Sequence, residues 1–155
     1  MKPTFEINPK LFANESFFTH PYFKKFKLRK AEKPLQLTEA IAKDYLFPTL
    51  YGDVTCAIGI FLCDYKKALA VMPHSEIKPV RMTKGRSLVI FSCYQYRNVM
   101  GVAPYNEIAM TIPVLAGNGA DLPVLPMILS SAFKNFGYYV FGMPVTSKEN
   151  EIRGQ

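Results

Sequence analysis

The sequence predicts an α+β fold that is mainly β, and its 155 residues are most simply one domain. Composition is the first observation: 12 Phe and 9 Tyr occur without Trp, which is typical of an aromatic-rich β interior. The second is the segment 87–96, a continuous run of β-type residues. The third is a period-two alternation over 105–114, in which one face is almost wholly apolar and the other carries a single acid, Glu107.

Residues 1–50 are predicted to form an irregular arm with a basic segment and a short helix. Phe and Tyr residues are mixed there with prolines and with the basic run Lys24–Lys33, so the arm either packs over the domain or is a mobile tail. The short helix is expected over Leu37–Tyr45, with Thr38 as its N-cap. It should end before Pro48, because the residue preceding a proline avoids the helical region.

Residues 51–155 are predicted to form a β domain with short helices on its rim. Asp53–Cys63 has the composition of a strand, with Val, Thr, Ile and Phe. Asp64 should then cap a helix over Tyr65–Met72, which the following proline ends. Ile77–Arg81 is predicted to be a short edge segment, because it contains a proline that cannot donate to a ladder.

The link 97–104 is short enough to join the run 87–96 to the Glu107 strand as an antiparallel hairpin. Leu115–Leu122 contains two glycines and an aspartate and is predicted to be a loop. Leu125–Phe136 fits either a helix or a broken strand, and both alternatives remain open.

The C-terminal segment is predicted to contain one strand and one helix. Tyr138–Val145 is a strand with a bend or an edge position, since it contains Gly142 and Pro144. Thr146 and Glu149 have the spacing of a capping box, which predicts a helix from Lys148 onward.

The charge of the chain gives little support to nucleic-acid binding. The formal net charge is +7, and Lys24–Lys33 holds six bases and one acid. A nucleic-acid interface would depend on this one segment, which has no recognised nucleic-acid motif. Because charge runs usually stay in solvent, we predict no nucleic-acid partner.

The cysteines and the hydropathy predict a cytoplasmic protein without a metal or a cofactor. Cys56, Cys63 and Cys93 form no zinc-type spacing with each other or with the two histidines. Buried free thiols in a reducing compartment are therefore expected. The sequence shows no leader and no apolar run of the roughly 18 residues needed to span a bilayer, so no membrane partner is predicted.

The candidate site is centred on Glu107. Apart from Glu76 and Asp121, it is the only acid between Tyr65 and Val145. An isolated acid within apolar strand sequence is either paired with a nearby Arg or Lys for structural reasons or kept for proton chemistry. Both interpretations remain open from the residues alone.

Several motifs within residues 53–155 occur in a recognisable order. A helix ends in Met72-Pro73, the β run continues to Tyr96, and a Pro-Tyr-Asn-Glu strand follows at 104–107. Residues 138–154 read Tyr-Tyr-Val-Phe-Gly-Met-Pro-Val-Thr-Ser-Lys-Glu-Asn-Glu-Ile-Arg-Gly. This order resembles the acetoacetate decarboxylase family. The resemblance implies an antiparallel β-barrel core with short peripheral helices. It also implies Schiff-base chemistry, in which a lysine amine condenses with the ketone of a small keto acid before carbon dioxide is lost.

The resemblance assigns roles to individual residues. Tyr105 and Glu107 match a Tyr-x-Glu pattern of the family, which implies a catalytic role for Glu107 and substrate contact for Tyr105. Ser92 stands where the family has a second glutamate, and Arg97 is a candidate for holding a substrate carboxylate with two hydrogen bonds, although a surface position also suits it. Gly154 matches the start of the stretch before the family's Schiff-base lysine, so the chain is expected to lack that lysine and to contain a truncated barrel.

Two functions remain open at this stage. The first is a lyase that, in complete form, acts on a small keto acid through a lysine Schiff base. The alternative is a non-catalytic small-molecule-binding or interaction module on the same fold. Missing strands would leave unpaired edges and an uncovered apolar face, so a homo-oligomer is also expected.

Overall fold

A computed structural model describes residues 14–117 and 122–154. These residues form two compact units, each assembled from separate stretches of the chain. Within the described residues, unit 1 comprises 14–56, 94–107 and 145–154. Unit 2 comprises 57–93, 108–117 and 122–144. The predicted division into an arm, 1–50, and a β domain, 51–155, stays a prediction.

The described residues are mainly β, as predicted. Their strands are β1 Arg29–Lys30, β2 Leu35–Gln36, β3 Ala42–Lys43, β4 Leu46–Phe47, β5 Tyr51–Asp64, β6 Ile77–Pro79, β7 Arg86–Val99, β8 Tyr105–Ala116 and β9 Phe136–Gly142. β1 pairs with β4 and β2 with β3, both antiparallel, while the longer strands form one sheet in the order β5-β7-β8-β6 with β9 also paired to β8. The described strands form no closed barrel, so the barrel core stays a prediction.

The helices in the described residues are short. They are α1 Tyr65–Ala70, α2 Leu125–Ile128 and α3 Lys148–Arg153, and single 3-10 turns lie at Glu15–Phe17, Phe23–Lys25 and Ser130–Ala132. The carboxylate of Asp64 accepts a hydrogen bond from the backbone N–H of Lys67 at 3.0 Å, which confirms the predicted cap of α1.

The open question over 125–136 is resolved in favour of helical turns rather than a broken strand. Part of the predicted loop at 115–122 lies outside the described residues.

The helix predicted over Leu37–Tyr45 is wrong. Strands β2 and β3 pair there, and the turn between them is closed by the backbone N–H of Ile41, which donates to the carbonyl of Thr38 at 3.3 Å. Leu37 and Tyr45 are both buried. An isolated helix of this length is marginal in water, so the burial of these two side chains and the strand pairing decide the local structure.

The capping box predicted from Thr146 and Glu149 is also wrong, although the helix begins at Lys148 as expected. The N-cap is Ser147, whose hydroxyl accepts from the backbone N–H of Asn150 at 3.3 Å. The hydroxyl of Thr146 instead accepts from the backbone N–H of Asn106 at 2.9 Å. Glu149 is therefore not required at the helix end, and its side chain is buried.

The turn between β7 and β8 confirms the predicted antiparallel hairpin. Val99 and Val102 form an antiparallel bridge across it, and Gly101 has a φ of +69°, which favours glycine. The side chain of Asn14 holds the turn from both sides: its amide donates to the carbonyl of Val99 at 2.8 Å and its oxygen accepts from the N–H of Gly101 at 2.9 Å. This hairpin positions Tyr105 at the start of β8.

Each unit has its own buried apolar residues. In unit 1 these form two clusters, with members Tyr45, Val99, Val102 and Tyr105 in one and Phe18, Leu50 and Met100 in the other. In unit 2 a cluster contains Ala68, Ile112 and Val114. Burial of such side chains from water is the main favourable term in forming each unit.

Candidate functional site

The predicted site residues Tyr105 and Glu107 lie in unit 1 among stacked tyrosines. We call this group, formed by Tyr51, Tyr94, Tyr96, Tyr105 and Glu107, the tyrosine–glutamate face. The ring centroids of Tyr96 and Tyr105 are 4.6 Å apart with 29° between the planes, and those of Tyr94 and Tyr96 are 5.5 Å apart at 13°. Tyr94 and Tyr96 are two residues apart on β7, so the pleat of the strand places them on one side.

Glu107 is partly buried beside these rings. The hydroxyl of Tyr96 donates to Glu107 Oε1 at 3.5 Å, the outer limit of a hydrogen bond. Burial raises the pKa of the Glu107 carboxyl, and the hydrogen bond from Tyr96 opposes this only in part. Among the ion pairs of the described residues, none includes Glu107. The carboxyl therefore keeps its proton to a higher pH than an exposed glutamate does.

The neighbouring phenols are also shifted. Burial raises the pKa of Tyr105. The pKa of Tyr96 is raised by burial and also by the negative charge of Glu107. Tyr105 is buried, whereas Tyr51, whose ring centroid lies 5.2 Å from that of Tyr96, is exposed at 45%. The phenols consequently remain protonated hydrogen-bond donors, and one side of the group faces solvent.

Arg97 lies in unit 1 but is engaged elsewhere. Its guanidinium donates from Nε and Nη2 to the two carboxylate oxygens of Asp53, at 2.8 and 2.7 Å. This hydrogen-bonded pair is exposed and holds the pKa of Asp53 below its usual range. The surface position considered for Arg97 is therefore what the structure has.

Ser92, the other predicted contact, belongs to unit 2 and is buried on β7. The structure thus groups Tyr105 with Glu107 and assigns Ser92 to a different compact unit.

A second group of polar residues in unit 1 was missed by the sequence analysis. We call it the buried ion-pair cluster, and its members are Lys43, Tyr45, Glu149 and Arg153. Glu149 is 2% exposed, and its Oε1 lies 2.7 Å from Lys43 Nζ. The hydroxyl of Tyr45 donates to the same oxygen, and Lys43 Nζ also donates to the carbonyl of Gly101 at 2.7 Å.

Two cationic side chains lie over the ring of Tyr45 in cation–π contacts. The guanidinium of Arg153 lies 4.6 Å from the ring centroid and Lys43 Nζ lies 5.0 Å from it. Arg153 also donates to the hydroxyl of Thr49 at 3.0 Å. These contacts join α3 to the segment 43–49.

Burial lowers the pKa of Lys43, although the bond to Glu149 opposes that shift. A lysine with a lowered pKa is the type of amine that can act as a nucleophile. The sequence concealed this group because Lys43 lay in a predicted helix and Glu149 in an apparent capping box. A buried acid that is 106 residues away from its partner leaves no local pattern.

Comparison of the chain with models of known families, with curated proteins and with solved structures gave no match. In the described ranges, 14–117 and 122–154, no helix has the length and apolar character needed to cross a membrane. Within those ranges no three His, Cys, Asp or Glu side chains lie together as metal ligands would. The site is thus defined by its geometry alone.

Glu149→Gln should destabilise the protein by about 3 kcal/mol, because it leaves the charge of Lys43 without its counter-ion in a poorly solvated position. Urea denaturation followed by circular dichroism measures the change. The double variant Lys43→Met/Glu149→Gln should recover about 1–2 kcal/mol of this loss, since it also removes the stranded charge.

The matched control for Glu149→Gln is Glu151→Gln, the same change on the same helix. Glu151 forms an exposed ion pair with Lys148, at 2.8 Å, so this variant should change stability by less than about 0.5 kcal/mol. Equal losses for the two variants would contradict a special role for the buried pair.

Tyr96→Phe should raise the pKa of Glu107 further, because it removes the hydrogen bond that favours the ionised carboxylate. Carbon-13 NMR of the labelled glutamate carboxyl measures this titration directly. Tyr94→Phe, which removes a hydroxyl from the same strand, is the matched control. A pKa of Glu107 that is equal or lower in Tyr96→Phe would contradict the interaction.

The raised pKa of Glu107 in the parent protein also affects how stability depends on pH. Because the folded-state pKa of Glu107 is raised, the folded protein binds more protons than the unfolded chain between the two pKa values. Stability contributed by this group is therefore lost as pH rises through that window. Glu107→Gln cannot ionise, so urea denaturation should show the variant gaining stability relative to the parent protein as pH rises.

Proposed function

We propose that this chain is an acetoacetate decarboxylase-like protein that binds a small keto acid on the tyrosine–glutamate face. The observation that carries the proposal is the position of Glu107, partly buried beside the stacked rings of Tyr96 and Tyr105, where burial raises the pKa of its carboxyl. Such a carboxyl is protonated more readily than an exposed one, and in that form it can donate a hydrogen bond to the carbonyl or the carboxylate of an organic acid.

The surrounding tyrosines suit the same ligand. A small keto acid has two planar groups, the ketone and the carboxylate, that can lie against the phenol rings, and the hydroxyls offer further donors for its oxygens. In proteins of this class, the reaction is the loss of carbon dioxide after a lysine amine has condensed with the ketone. Glu107 would then orient the substrate or handle a proton.

A second candidate function is a non-catalytic binding module, and one observation favours it. Lys43, whose pKa is lowered, already donates to Glu149 and to the carbonyl of Gly101. Condensation of this amine with a ketone would break a buried ion pair. The tyrosine–glutamate face would in this case bind its ligand without turning it over.

The proposed assembly is a homo-oligomer, supported by exposed apolar residues on β5 of unit 2. The proposed location is the cytoplasm, supported by three free cysteines. The burial predicted for these thiols is wrong for Cys56 and Cys93, which are exposed.

Titration with acetoacetate should shift the NMR signals of ring-labelled Tyr96 and Tyr105. Glu107→Leu should raise the Kd about tenfold, because it removes a hydrogen bond to a charged ligand worth about 1.4 kcal/mol. Glu151→Leu is the control and should leave the Kd unchanged. No binding, or equal Kd values for the parent protein and Glu107→Leu, would contradict the proposal.

Treatment with acetoacetate and sodium borohydride tests whether a lysine of this chain forms an imine, since the reagent reduces an imine to a stable covalent adduct. We expect no adduct in intact-mass spectra of this chain, because Lys43 is held by Glu149. An adduct on Lys43 would instead support the lyase and exclude the non-catalytic module.

A further inference from the structure

The part of β5 that lies in unit 2, residues 57–64, exposes an unusual amount of apolar surface. Ile58, Ile60, Phe61 and Leu62 are 62%, 59%, 56% and 57% exposed. Single exposed apolar residues are common on protein surfaces, but four within five positions of one strand form a patch. These side chains point to both faces of the strand, because successive residues alternate.

The backbone of β5 is available as well. Among the described strands, β5 stands at one end of the sheet order and pairs only with β7. Residues 54–63, Val-Thr-Cys-Ala-Ile-Gly-Ile-Phe-Leu-Cys, contain neither a charge nor a proline. Edge strands that avoid association usually carry a charge, a proline or a bulge, so this edge is not protected by its sequence.

We propose that β5 of a second copy of the chain pairs antiparallel with this edge across a two-fold axis, extending the sheet. This inference rests on the proposed self-association and specifies its surface. The second copy is the favoured occupant because an antiparallel strand pairs with its own sequence, so that one uncharged apolar segment satisfies both sides of the contact.

Symmetry restricts the register of this pairing. A two-fold axis perpendicular to the sheet keeps each side chain on its own face, and opposite residues of an antiparallel pair also share a face. Opposed residues must therefore differ by an even number of positions, and the axis must pass beside one residue that opposes itself.

Ile60 is the residue that best fits the axis. It would oppose Ile60 of the second copy, and Ile58 of each copy would oppose Leu62 of the other. Three apolar side chains from each copy, six in all, would therefore line one face. On the other face Phe61 would oppose Gly59 of the second copy. The ring of Phe61 already lies over Gly59 of its own chain, 2.7 Å from where a Cβ would be, so a side chain at 59 would require this ring to move. Asp64 would oppose Cys56, and no two acids would face each other.

Disulfide trapping tests this register. In a background with Cys56, Cys63 and Cys93 replaced by serine, Ile60→Cys should give a covalent dimer on mild oxidation, because self-opposed residues bring their Cβ atoms to about 4.5–5.5 Å. Ser75→Cys, at an exposed position of unit 2 away from β5, is the matched control and should remain monomeric on a denaturing gel.

Sedimentation velocity supplies the second readout. Ile60→Lys should abolish the dimer, because it places two charges against each other at the axis. Ile128→Lys, which makes the same change at a 70% exposed site outside β5, should leave the dimer intact. Circular dichroism checks that both variants fold.

The outcomes distinguish the two proposals. A monomeric parent protein at all concentrations would overturn both self-association and this interface. A dimer that persists in Ile60→Lys, together with no trapping of Ile60→Cys, would overturn the β5 interface while leaving self-association in place. Trapping of Ile60→Cys and a monomeric Ile60→Lys would support the proposed pairing.

Discussion

The ion pair between Lys43 and Glu149 is the interaction on which unit 1 depends. The unit is built from three stretches of chain, and each supplies one part of this contact: Lys43 from the first, the carbonyl of Gly101 from the second and Glu149 from the third. Taking two charges out of water is costly, so the pair is stable only while its hydrogen bonds are complete. The bond from Tyr45 and the contacts of Lys43 meet this condition. The stretches are thereby fixed in their relative register within the unit.

Burial produces a different result at the tyrosine–glutamate face. There the carboxyl of Glu107 has aromatic neighbours and one distant phenol donor, so desolvation prevails and the pKa of the acid is raised. Glu107 and Glu149, two of the glutamates of unit 1, differ in the contacts that balance their burial. Glu149 has a cation 2.7 Å away, whereas the hydrogen-bond partner of Glu107 is a neutral hydroxyl at 3.5 Å. The ion pair stabilises the fold, whereas the weak bond to Glu107 offsets the desolvation of its carboxyl only in part.

The features that could be predicted from the sequence are local ones. Strands β5, β7 and β8 have long runs of β-forming residues, and α1 has its cap and its terminating proline within ten residues, so both were predicted correctly. Glu107 was found because an acid stands out in apolar strand sequence. The β2–β3 hairpin was missed because the burial of Leu37 and Tyr45 outweighed a weak helical pattern. Glu149 was assigned to a helix cap because its true partner is 106 residues away.

The distance in sequence between Lys43 and Glu149 also orders events during synthesis. Every described residue of unit 2 lies between 57 and 144, so that unit has been synthesised before residue 149 is added. The ammonium group of Lys43, in the first stretch of unit 1, can therefore pair with Glu149 only after α3 has been synthesised. Because domains generally fold as units during synthesis, unit 2 should be formed first and unit 1 closed last. A nascent chain would thus expose the uncharged segment 54–63 before the tyrosine–glutamate face is complete.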